Sequence, residues 1–134
     1  METYKITFKQ ELTVTAEDID AIVCTALEGG INYWCRKVRP VGDYLGEYAS
    51  DQISRGGKLV FTLDEAFDES EKTEYTMTQD DLLRGLKMYL SNPESPYDIT
   101  DYEHGLLVLD PCDIDATVAD MIIQYALFNE IVFG

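Results

Sequence analysis

Apolar positions recur along this chain with two different periods. Across "YKITFKQELTV", Tyr4, Ile6, Phe8, Leu12 and Val14 alternate with polar residues. Period two marks a strand with one apolar face; Gln10 interrupts that face, so the stretch predicts one strand or two short ones. Helical spacing takes over in "TAEDIDAIVCTALEGG", where Ile19, Ile22, Val23, Ala26 and Leu27 form one stripe. Thr15 and Asp18 make a capping-box pattern at its start, and Gly29–Gly30 predict a left-handed stop. "INYWCRKV" then reads as a strand ending before Pro40. "DYLGEYASDQISRGG" reads as a weaker helix with Leu45, Tyr48, Ala49, Gln52 and Ile53 on one side, closed by Gly56 and Gly57.

"KLVFTL" predicts a strand, "DEAFDESEKTE" a polar turn and "EYTMT" a returning hairpin strand. Thr78 opens a third helix with another Thr-x-x-Asp cap and an inner face of Leu82, Leu83, Leu86, Tyr89 and Leu90. That helix ends at Asn92-Pro93. "ESPYDITDYEH" reads as a loop, "GLLVL" as a short buried strand and "DPCDIDATVADMIIQYALF" as the last helix. On that helix Thr117, Asp120 and Gln124 share a narrow stripe, while Val118, Met121, Ile122, Tyr125, Ala126 and Phe128 cover the rest. A helix apolar nearly all round is enclosed by its domain. Asn129 suits a left-handed terminator, and "EIVFG" can add an edge strand. The order β-α-β-α-β-β-α-β-α predicts a single α+β domain over 1–134, with about four helices on one small, mostly antiparallel sheet.

Charge narrows the choice of partners. The 134 residues carry 26 Asp and Glu against 10 Lys and Arg, a formal net charge of -16. Residues 1–60 contribute -2 and residues 61–134 contribute -14. Such a surface repels phosphate backbones and anionic lipid, so neither nucleic acid nor membrane is expected as a direct ligand. No apolar run is long enough to span a bilayer and no apolar targeting core opens the sequence, so a cytoplasmic protein is expected. Cys24, Cys35 and Cys112 are odd in number and lack C-x-x-C spacing, which predicts buried reduced thiols.

The usual catalytic constellations are missing from the pattern. His104 is the only histidine. With Asp98, Asp101 and Glu103 it can be drawn as a metal-dependent or small-ligand centre, but neighbours in sequence rarely converge on one ion. "DPCDID" fails calcium-loop spacing: position six from Asp110 is Asp115 rather than Gly, and position twelve is Met121 rather than Glu. No thiol has a histidine base, and "EGGIN" and "SRGGKL" lack phosphate-loop spacing. The expectation is therefore a non-enzymatic protein, with no catalytic residue, metal ligand or cofactor assigned.

What stands out instead is clustering. Asp64, Glu65, Asp68, Glu69, Glu71 and Glu74 fall within eleven residues, and Glu94, Asp98, Asp101, Glu103, Asp110, Asp113 and Asp115 form a looser second group. A nucleic-acid mimic needs such clustering. At 15.2 kDa a folded chain exposes roughly 7,000 Å², about 270 Å² per acid, against about 110 Å² per charge on duplex DNA. The two acidic groups are the first candidate contact surface, fitting a basic DNA-binding protein or nuclease. Tyr33 and Trp34 beside Arg36, Lys37 and Arg39 form a second, with edge-strand protection as its plainer reading. A third possibility is self-association, as a homodimer, through the apolar stretch holding Phe128 and Phe133.

"ALEGGINYWC", "YLGEYASDQISRGGKL" and "ADMIIQYALFNEIVFG" resemble blocks in a family of small acidic proteins, of uncharacterised role, encoded by phages, prophages and integrative elements of gut bacteria. The blocks carry no catalytic motif, and no site residue is transferred from them. The resemblance implies an accessory protein that binds a host or element protein, as inhibitors of restriction or CRISPR nucleases do.

Overall fold

A computed structural model describes all residues 1–134. Its elements follow the expected α+β order with one strand added: β1 (Leu12–Thr13), α1 (Ala16–Thr25), β2 (Cys35–Pro40), α2 (Ala49–Ser54), β3 (Leu59–Leu63), β4 (Glu74–Met77), α3 (Gln79–Ser91), β5 (Thr100–Glu103), β6 (Leu106–Leu109) and α4 (Ala116–Phe128). The strands form two sheets rather than one. The first runs β2-β3-β4, antiparallel throughout. The second runs β1-β6-β5, with β1 parallel to β6 and β5 antiparallel to it.

Both Thr-x-x-Asp signatures cap helices. Thr15 accepts from the Asp18 amide at 3.1 Å while Asp18 accepts from the Thr15 amide at 2.9 Å, and Thr78 and Asp81 repeat the exchange at 3.1 and 2.9 Å. Each box satisfies donors that a helix start leaves free. The close of α1 differs from expectation. Gly29 sits at φ 167°, extended rather than left-handed, and the helix ends through a π turn over Ala26–Gly30. Helix α2 is also shorter than its pattern, leaving Leu45 and Tyr48 exposed. Asn129 at φ 60° ends α4 as expected.

One apolar core gathers Ile22 and Val23 of α1, Leu59, Phe61 and Leu63 of β3, Leu82 and Leu86 of α3, and Val118, Ile122 and Ile123 of α4. Helices α3 and α4 meet closely at Gly85, where a Cβ would come within 2.6 Å of the Ile122 carbonyl oxygen. The expected loop "ESPYDITDYEH" contains β5. Its turn to β6 places His104 at φ 52° and Gly105 at φ 79°, the left-handed pair of a two-residue hairpin. Leu106 is exposed, so "GLLVL" is buried only at Leu109. Residues 1–11 form neither strand, and all of them are exposed; the alternating segment finds no partner strand within the chain. Cys35 is buried, Cys24 half-buried and Cys112 exposed, so the thiols are free but not uniformly enclosed. No helix is long and apolar enough to cross a membrane.

Candidate functional site

The first acidic group is the loop joining β3 to β4. Asp64, Glu65, Asp68, Glu69 and Glu71 on it are exposed. Three features hold the loop. The Asp64 amide donates to the Trp34 carbonyl at 3.0 Å at its start. Asp68 accepts from the Ser70 amide and hydroxyl at 3.1 and 2.5 Å, and the Ser70 hydroxyl accepts from the Lys72 amide at 3.2 Å. Phe67, in the middle of the run, stays 36% exposed but packs its ring against Phe128, Tyr75 and Phe133, with ring centres 5.0, 6.0 and 5.9 Å away. Those rings join Trp34, which stacks on Phe133 at 5.3 Å. An acidic loop this polar has no reason of its own to keep one shape; the aromatic anchor and the aspartate turn supply it.

The loop's charge is left uncompensated. The chain holds two ion pairs, Arg39 with Glu74 at 3.1 Å and Arg84 with Asp81 at 2.8 Å. Lys72 lies 4.4 Å over the Tyr75 ring instead of on a carboxylate. Glu74 is thus separated from its sequence neighbours: it stands on β4 and is neutralised by Arg39. Burial, and after it the Asp68 charge, pushes the Tyr75 hydroxyl up from its ordinary value.

The second acidic group sits on other supports. Asp98 accepts from the Thr100 amide at 3.0 Å and hydroxyl at 2.7 Å, and these bonds hold its carboxyl below the usual range. Asp101 accepts from the Tyr102 amide at 2.7 Å, and Glu103 ends β5 beside the His104 turn. Burial pushes the Tyr89 hydroxyl up; its bond to the Tyr97 carbonyl works against that rise, and the charges of Asp115 and Asp98 add to it. No strand pairing joins this sheet to the one bearing the 64–73 loop. His104 itself is an exposed hairpin residue, and no three His, Cys, Asp or Glu side chains converge as a metal site.

The aromatic-basic surface is corrected in part. Trp34 is buried, 2% exposed, because its indole N–H donates to Asp120 at 2.7 Å and its rings fill the cluster. Tyr33 is exposed on its ring, yet its hydroxyl donates to Asp120 at 2.5 Å. Burial first, then that bond, pushes the hydroxyl well above its ordinary range. Arg36 and Lys37 remain exposed, while Arg39 is half-buried and bound to Glu74.

Asp120 and Gln124 are the residues that the polar stripe on α4 contained without revealing their role. Both are buried. The Gln124 amide donates to Asp120 at 2.9 Å and to the Phe133 carbonyl at 3.2 Å, and its oxygen accepts from the Val132 and Phe133 amides at 2.8 Å each. This seam folds residues 131–134 back on α4, so "EIVFG" adds no strand. Phe128 and Phe133, offered as a third possible surface for self-association, pack within the chain against Trp34 and Phe67.

Neither Cys24 nor Cys35 is activated. A hydrogen bond to Glu28 raises Cys24, and burial raises Cys35, the opposite of what a nucleophile needs. Compared with known protein families, characterised proteins and solved structures, the chain matches none.

Proposed function

We propose that this protein acts without chemistry of its own, by binding a basic surface on another protein through the 64–71 loop. The observation that supports the reading is the state of five carboxylates, Asp64, Glu65, Asp68, Glu69 and Glu71. They are exposed, free of internal cations, and carried on a loop fixed by Phe67 rather than spread on a mobile tail. Pre-ordering lowers the cost of docking, and uncompensated like charges steer a cationic partner. Asp98, Asp101 and Glu103 form a separate acidic edge on the other sheet.

Imitation of nucleic acid is the finer form of this proposal, and it is local. The surface of 8619 Å² shared among 26 acids averages about 330 Å² each, three times sparser than the roughly 110 Å² of duplex DNA. Only a segment such as 64–71 approaches the required density. A host or mobile-element protein with a DNA-binding groove is the partner class this favours, and the resemblance to mobile-element proteins points the same way.

The test is affinity capture from host lysate at low and moderate salt, with the native chain beside a variant in which the five carboxylates become the matching amides. The Asp68→Asn change retains a side-chain oxygen for Ser70, so the loop keeps its turn. A DNA-binding protein retained by the native chain, lost by the variant and displaced by duplex DNA is the expected result. Equal retention by the variant would remove the loop from the function, and retention indifferent to DNA would remove the mimicry.

A further inference from the structure

Tyr4, Ile6 and Phe8 keep 84%, 85% and 72% of their surface exposed and take no part in the core. Isolated apolar side chains on a surface are ordinary, but these three alternate with Thr3, Lys5, Thr7 and Lys9 in the pattern of a strand with one apolar face. The segment leads directly into β1, an edge strand whose sole partner is β6, so one side of that backbone is unpaired. Gln10 ties its base to the same sheet by donating to the Tyr102 hydroxyl at 2.5 Å. Beside that base opens a mixed groove of about 600 Å³, with Leu12, Leu83, Leu86 and Leu107 on its apolar part and Lys87 and Asp98 on its polar part.

We propose that the missing partner strand is the same segment of a second copy. Two such segments pair antiparallel about a two-fold axis at Ile6, and the β1-β6-β5 sheets of the two copies become continuous. The register follows from the residues. With Ile6 opposite Ile6, Tyr4 faces Phe8, Lys5 faces Thr7 and Thr3 faces Lys9: apolar pairs fill one face and no like charges oppose. Sliding two residues one way opposes Lys5 to Lys9, and two the other way opposes Lys5 to Lys5. A one-residue slip sets apolar against polar side chains. The sequence around Ile6 is thus self-complementary, which an isologous two-fold contact requires.

Area and charge agree with that occupant. The surface of 8619 Å² exceeds by roughly 1,500 Å² what a 15.2 kDa monomer exposes. Residues 1–11, all of them exposed, contribute to that surplus, and a partner strand would cover part of it. Residues 1–9 hold two lysines against one glutamate in a chain of net charge -16, so the copies meet where their mutual repulsion is least. Association through apolar segments, opposed by the rest of the surface, strengthens as salt screens that repulsion. This reading is independent of the acidic loop, whose binding salt weakens.

Sedimentation of the full chain over a wide concentration range, at low and moderate salt, tests it. A monomer–dimer equilibrium favoured by salt is expected. Ile6→Lys sets two lysines face to face on the axis, and dimer dissociation should rise by at least about tenfold. Because Ile6 packs on nothing within its own chain, far-UV circular dichroism and the melting curve of dilute Ile6→Lys should match the native monomer. In a Cys112→Ser background, Ile6→Cys should oxidise to a disulfide between copies. Lys5→Cys should not, its symmetry mate lying beyond the ~7 Å that a disulfide spans. A monomer at every concentration and salt, a dimer indifferent to Ile6→Lys, or equal crosslinking of both cysteine variants would overturn the proposal.

Discussion

Asp120 collects three donors inside the protein: the Trp34 indole, the Tyr33 hydroxyl and the Gln124 amide. A buried carboxylate is tolerable only with such company, and its removal harms its partners more than itself. Asp120→Ala strands the indole N–H in the aromatic cluster and releases Gln124 from the 131–134 segment. The expected loss is about 3 kcal/mol in urea unfolding. Tyr33 adds a pH signature. Its folded hydroxyl holds its proton above the ordinary value of 10.0, as do those of Tyr75 and Tyr89, while the unfolded chain releases it there. The contribution is whole below pH 10.0 and is lost as pH rises beyond it, because unfolding then releases protons. Melting temperature should therefore fall above pH 10.0, and Tyr33→Phe should flatten part of that fall.

At the scale of elements, local chemistry was legible and long-range company was not. The capping boxes at Thr15 and Thr78, the stripe of α1 and the β3-β4 hairpin are written locally, and the fold follows them; the α3 stripe holds at Leu82, Leu86 and Tyr89, but Leu83 is only half-buried and Leu90 is exposed where the helix runs past its cover. Tyr4, Ile6 and Phe8 carry a strand's period, but period does not say whether a neighbour strand exists, and none does within the chain. Phe67 was hidden because a single aromatic in an acidic run reads as part of the turn; its packing depends on Phe128 and Phe133, some sixty residues away. Asp120 and Gln124 were hidden for the same reason, since burial of a polar stripe is decided by Trp34 and by residues 132 and 133. Gly85 shows the same conflict in reverse. As a mid-helix glycine it costs α3 about 1 kcal/mol against alanine, yet α4 lies where the methyl group would be. Backbone atoms at 2.6 and 2.8 Å cannot yield as a side chain could, so the steric term wins. Gly85→Ala should lower stability by about 1–3 kcal/mol in denaturant unfolding, despite the better helix former.

Over the whole molecule, 26 acids face 10 bases, and two ion pairs at the surface engage only two of each. Surface pairs of this kind contribute about 0–1 kcal/mol each, so salt has little attraction to remove. It has much repulsion to relieve: the folded chain confines a net charge of -16 within a domain whose neighbouring carboxylates lie inside the ~10 Å screening length of 0.1 M salt, while the unfolded chain spreads the same charge out. Relief therefore favours the folded state. Melting temperature should rise by several degrees between low and moderate ionic strength, measured on Ile6→Lys so that dimerisation does not contribute. A fall would mean that the surface arrangement is net attractive and that the acidic loop is compensated by cations elsewhere in the fold. The same change of salt then separates the two proposed surfaces from the fold itself: it is expected to stabilise the domain, to strengthen the proposed pairing through Ile6, and to weaken the proposed capture of a basic partner by the 64–71 loop.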